Sequence, residues 1–123
     1  MKIKLKILTI ASIILLTSCS IGLEKKITKN WKVSKMEKFI PVTSNNYTPI
    51  KMDINAKMSY NFQTENKVKL ITQYDSKLNG SWSVNDSIIT INIKKEQKNF
   101  NIDKLTDHEL VLTSGNYKFY LEN

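Results

Sequence analysis

The chain has one histidine, and it stands between two carboxylates in Asp107-His108-Glu109. An imidazole beside carboxylates is the raw material of acid–base catalysis or of a metal centre. Three consecutive residues in a turn between strands cannot converge on one atom, as metal ligands must. The triplet therefore reads as a solvated turn. There is no Gly-x-Ser-x-Gly to present an activated serine. Asp75, Asp86 and Asp103 sit beside turn residues or on polar faces, where no acid–base pair for glycoside hydrolysis would be held. The expectation is a protein that is not an enzyme, with no metal and no cofactor. The residues most open to a functional role are aromatic: Trp31, Tyr60, Phe62, Trp82, Phe100, Tyr117 and Phe119. Such rings can line a cavity and stack on an apolar ligand, or they can simply fill a core.

The only cysteine, Cys19, closes "LLTSC" at the end of an apolar run. Lys2, Lys4 and Lys6 precede "ILTIASIILLTS" (Ile7 to Ser18), the charge and apolar order of a secretory signal. The run is shorter than the roughly 20 apolar residues that a membrane-spanning helix needs. "LTSC" (Leu16 to Cys19) resembles the bacterial lipobox, which implies cleavage before Cys19, a diacylglyceryl thioether on its sulfur and an acylated new amino terminus. More than one acyl chain makes such an anchor stable. The thiol is then consumed as an anchor, and it serves neither as nucleophile nor in a disulfide. Ser20 gives no sign of inner-membrane retention, so the expected address is the outer membrane.

Residues 1–18 thus read as a lipoprotein signal peptide, 19–30 as a lipidated polar tether with room for one helical turn, and 31–123 as one domain. Of 19 basic residues, the 16 left without Lys2, Lys4 and Lys6 face 11 acidic ones, so the formal charge falls from +8 to +5. Every basic residue is lysine. Nucleic acid is not an expected partner, because arginine is the residue that reads phosphate and guanine through two parallel bonds.

Positioning the aromatic set requires strands. From Trp31 onward apolar residues recur with period two, the spacing of half-buried strands. Trp31 pairs with Val33, Met58 with Tyr60 and Phe62, and Val68 with Leu70 and Tyr74. Trp82 pairs with Val84, Ile89 with Ile91 and Ile93, Phe100 with Ile102, Leu110 with Leu112, and Tyr117 with Phe119 and Leu121. Asn79-Gly80, Asn85 to Ser87 and Ser114-Gly115 read as turns. Pro41 to Asn55 contains two prolines and reads as mostly loop with a short edge strand. About eight short strands with tight turns predict an all-β antiparallel meander, closed into an up-and-down barrel that removes its edges. An open β-sandwich is the alternative.

"NWKVSKME" (Asn30 to Glu37), "YNF", "GSWSVNDSIITI" (Gly80 to Ile91), "FNIDKLTDHELVL" (Phe100 to Leu112) and "YKFYL" together resemble the lipocalin-like lipoproteins common in Bacteroidota. Lys29 stands where the lipocalin signature has the glycine of Gly-x-Trp, so lipocalin-like is the fitting term. The resemblance covers roughly residues 30–122 and implies a small barrel, in some members with a cavity for an apolar ligand. Two functions follow. One is a carrier of a small hydrophobic molecule in the cell envelope, tied to the membrane through Cys19. The other is a filled barrel that displays the Pro41 to Asn55 loop to an envelope protein partner or acts as an inhibitor. The inward residues are nearly all large, which favours a filled core; the family resemblance tips the expectation to the carrier. Asn46-Tyr47-Thr48, Asn79-Gly80-Ser81 and Asn85-Asp86-Ser87 match the N-glycosylation sequon, and Asp86-Ser87-Ile88 resembles the O-glycosylation sequence of Bacteroidota.

Overall fold

The alternation of apolar and polar residues becomes nine antiparallel strands: β1 (Asn30–Pro41), β2 (Tyr47–Lys51), β3 (Ser59–Phe62), β4 (Lys67–Ile71), β5 (Lys77–Asn85), β6 (Ile88–Ile93), β7 (Glu96–Leu105), β8 (Glu109–Ser114) and β9 (Tyr117–Glu122). The computed structural model describes residues 22–123, so Cys19, segment 1–18 and the first part of the expected tether lie outside the described residues. Eight strands follow the order β1-β3-β4-β5-β6-β7-β8-β9, and β9 returns to pair with β1 from Lys32↔Glu122 to Lys38↔Tyr117. The ring is closed, so these eight strands leave no free edge. Closure answers the sandwich alternative.

β2 is the ninth strand, and it lies outside the ring. It pairs only with the upper half of β1, from Glu37↔Lys51 to Pro41↔Tyr47. This is the short edge strand expected within residues 41–55. Its free side is blunted in a definite way. The Phe39 amide donates to the Asn116 carbonyl at 2.7 Å, away from β2. Pro49, opposite Phe39, must then turn its own backbone nitrogen outward, because residues of a non-bonded antiparallel pair point their amides away from each other. Proline has no N–H to offer there, so the middle of the exposed edge cannot donate to an incoming strand.

Successive hairpins alternate between the two ends of the barrel. The segments 63–66, 86–87 and 106–108 lie at one end, and 72–76, 94–95 and 115–116 at the other. The first end is sealed. A short helix, α1 (residues 22–27), leads into β1, and its last residue, Ile27, is fully buried. The Trp31 indole donates to the Ile27 carbonyl at 2.9 Å, and the Lys29 ammonium lies 5.5 Å above the Trp31 ring while donating to the Asp107 carbonyl at 2.8 Å. The lysine in place of the signature glycine therefore covers the tryptophan at the floor. Residues 22–29, expected as tether, are packed against the barrel. Every buried apolar residue from Ile27 to Leu121 but Val111 falls in one cluster, so residues 22–123 form a self-contained folding unit.

Three departures from the sequence reading have local causes. Asn79-Gly80 is not a turn; it lies inside β5. A Cβ on Gly80 would overlap the Asn92 carbonyl oxygen and come within 2.6 Å of Ile93 Cγ1. Glycine is there to let two strands approach, which is its other use within a sheet. The turn comes earlier, at 72–76, with Asp75 at φ 63°. Tyr74 sits in that turn, 82% exposed, and does not share a face with Val68 and Leu70. Two bulges, between Val33 and Lys35 and between Ile102 and Lys104, each insert a residue and reset the face. Met36 thereby turns inward opposite Phe119, and Glu37 turns outward to accept the Tyr120 hydroxyl at 2.7 Å.

Candidate functional site

The two ends of the barrel are filled differently. Toward the floor, Phe62 and Trp82 meet edge to face at 5.0 Å and 61°, and the Trp82 indole donates to the Gln63 carbonyl at 2.9 Å. Trp31 and Phe62 are fully buried and Trp82 is 2% exposed. Half-way up, three rings from three strands form a layer. Tyr60 lies 6.1 Å from Phe100 and 5.9 Å from Phe119, and those two lie 5.8 Å apart. Above this layer the barrel is open, with a cavity of about 340 Å³.

The cavity walls come from the register. Ile91 and Ile93 on β6 face inward beside Lys98 and Glu96 on β7. Leu70 on β4 is paired with Leu78 on β5, and Ser114 on β8 with Tyr117 on β9. Thr72 and Lys94 complete the rim. Four of the seven predicted aromatic residues line this space: Tyr60, Phe100, Tyr117 and Phe119. The other three, Trp31, Phe62 and Trp82, do not; they fill the floor below the ring layer. The structure thus brings four of the seven expected residues together at the cavity and packs the other three beneath it. The aliphatic wall and the charged rim were missed by sequence reasoning. The signal was available in β7, where Glu96, Lys98, Phe100 and Ile102 share one period-two series that turns from charged to apolar.

The Tyr60 hydroxyl is the deepest polar group of the cavity. Its residue is 7% exposed. Among the described residues it has no hydrogen-bond partner, yet no sealed polar side-chain atom lacks one, so the hydroxyl is open to the cavity. Burial pushes its ionisation well above the ordinary tyrosine range, which keeps it a neutral donor.

The residues weighed for catalysis stay apart. His108 is exposed, with Nδ1 3.2 Å from the Asn123 carbonyl oxygen. Glu109 pairs with Lys104 at 3.0 Å, and Asp103 accepts from Thr113 at 3.1 Å. Asp75 and Asp86 occupy turn positions at φ 63° and 56°.

A family model described as a lipocalin-like domain matches residues 27–112. The chain belongs to the lipocalin-like domain family. The match begins at Ile27, which seals the floor, and ends before β9, the strand that closes the ring. A crystal structure of a lipocalin-like protein from Bacteroides uniformis superposes with a TM-score of 0.57 at 14% identity, covering 80% of this chain and 98% of that one. An uncharacterized protein from Bacteroides eggerthii does so with a TM-score of 0.51 at 12% identity, covering 78% and 98%. At these identities the likeness is one of fold. No curated protein matches the chain. The lipocalin-like domain thus has the cup shape of a barrel with one closed end and one open mouth.

Proposed function

We propose that this lipocalin-like domain carries a small apolar molecule in the cell envelope, fastened to the outer membrane through a lipidated Cys19. The observation that supports the carrier reading is the cavity of about 340 Å³ above the Tyr60–Phe100–Phe119 layer. It lies within the range of volumes typical of small-molecule sites, and its walls are mostly apolar with a few polar groups at defined places. Binding there needs no catalytic group, and the reading is of a binding protein rather than an enzyme.

Native mass spectrometry of the protein released from its own envelope tests this, together with titration of an environment-sensitive apolar dye into residues 22–123. A co-purified small molecule, or saturable dye binding displaced by an apolar competitor, is the expected result. If nothing co-purifies and no dye binds, the carrier reading fails. The rival reading, an interaction module, has an observation of its own. Val42, Tyr47 and Ile50 on the β1–β2 hairpin are 64%, 59% and 45% exposed. A pull-down that retains one envelope protein, and loses it when residues 44–48 are replaced, favours that reading.

A further inference from the structure

Resting on the carrier reading, we propose that the ligand is an amphipathic anion, seated with its apolar tail on the aromatic layer and its head against Lys94 and Lys98 at the mouth. The inward face of a barrel strand is the costly place for a charge. β7 nevertheless puts Lys98 on that face, in series with Phe100 below it, and the register sets Lys98 directly beside Ile91 of the cavity wall. Lys98 is exposed, whereas its neighbours on that face, Ile91 and Phe100, are buried.

Lys94 reaches the same rim from the β6–β7 turn. Lys94 and Lys95 there adopt φ 51° and 68°, a pair of left-handed conformations that such two-residue turns usually fill with Asn-Gly. A third cation, Lys38, lies 5.6 Å over the ring of Tyr117, itself a lining residue. The one acidic residue of the rim is Glu96. Among the described residues, the ion pairs are Lys35–Glu37, Lys67–Glu65 and Lys104–Glu109, so neither Lys94 nor Lys98 is held in a direct ion pair, and with Lys38 they outnumber the single carboxylate of Glu96. A cup with a cationic rim and an apolar interior matches a molecule of opposite charge at one end and apolar length behind it.

The orientation follows from the deep end. No cation lines the cavity beside Tyr60, and burying an anion there without one is expensive. Only the Tyr60 hydroxyl is present, and it suits a neutral acceptor. The charged head belongs at the mouth and the tail goes in first. Carboxylates and phosphate monoesters share this chemistry, and the two head types are separated by experiment.

The test uses residues 22–123 with decanoate, decyl phosphate and decanol, three ligands with the same tail. The wild type should bind one or both anions about 5- to 20-fold more tightly than the alcohol, the sum expected of two partly exposed charge pairs. The preference should shrink as salt is raised, since exposed charges are screened. In the variant carrying Lys94→Asn and Lys98→Gln, the ratio of anion to decanol affinity should fall to within about twofold of unity; asparagine at 94 tolerates the left-handed turn. Unchanged tryptophan fluorescence reports that the fold is kept. Equal binding of all three ligands, or a preference that survives the double substitution, overturns the anionic head and leaves the carrier reading standing. Failure of all three to bind overturns both.

Discussion

Phe62→Ala and Leu78→Ala should differ in cost by a factor of about three or more, although both truncate an inward apolar side chain. Phe62 is fully buried, between Trp82 at 5.0 Å and Tyr60 at 6.3 Å. Removing its ring leaves an unfilled hole in a close-packed floor, which costs about 3 to 5 kcal/mol. Leu78 is half-buried and borders space that is already empty. Its truncation removes three carbons, about 2 kcal/mol if fully buried and about 1 kcal/mol at half burial. Urea unfolding of residues 22–123 measures both, with Trp31 and Trp82 as reporters. For a slope near ~1.5 kcal/mol per molar, Phe62→Ala lowers the midpoint by about 2 to 3 M and Leu78→Ala by less than about 1 M. Equal shifts, or a larger one for Leu78→Ala, would refute a barrel filled at one end and open at the other.

Gly80→Ala drives a methyl group into the Asn92 carbonyl and should cost about 1 to 3 kcal/mol. Its melting temperature falls by about 4 °C or more, whereas Gly22→Ala, with nothing within 4 Å of a new Cβ, is thermally silent. Tyr60→Phe should change stability little at neutral pH, because the lost hydroxyl has no partner among the described residues. Alkaline pH separates the two proteins. The folded Tyr60 hydroxyl ionises later than its ordinary value of 10.0, so its contribution is complete below pH 10 and is lost as the pH rises above it. Wild type should lose stability faster than Tyr60→Phe from pH 10 upward, and parallel urea midpoints across that range would contradict the burial of the group. Cys19→Ala should leave an uncleaved precursor that takes up no labelled palmitate; a lipid-free chain that still begins at residue 19 counts against the anchor.

Periodicity identified which residues face inward, since a strand keeps two-residue spacing whatever its neighbours do. Tyr60, Phe62, Trp82, Phe100 and Phe119 are all buried as alternation requires. It could not give height along the barrel axis. Phe62 and Phe119 look alike in sequence, yet one lies below the ring layer and one within it, because height depends on register and strand tilt set by long-range pairing. For the same reason a run of large inward residues read as a filled core: their volume was legible, but its distribution between floor and mouth was not. Glycine was legible as punctuation and misread as to kind, because Asn79-Gly80 has the composition of a hairpin turn and only the nearness of the Asn92 backbone shows its use. The bulges at Ser34 and Asp103 carry no composition signal at all.

The sealed floor also fixes a direction. The chain enters the barrel at that end, through α1 and Trp31, and the mouth opens at the opposite pole. A lipid anchor at Cys19, as proposed, would then hold the domain by its base, with the opening turned toward the aqueous space. Cargo would be exchanged through water or with a second protein arriving from that side, not by sliding sideways out of the host bilayer. The anchor would set where the cup stands, and the opposite pole would decide what can reach it.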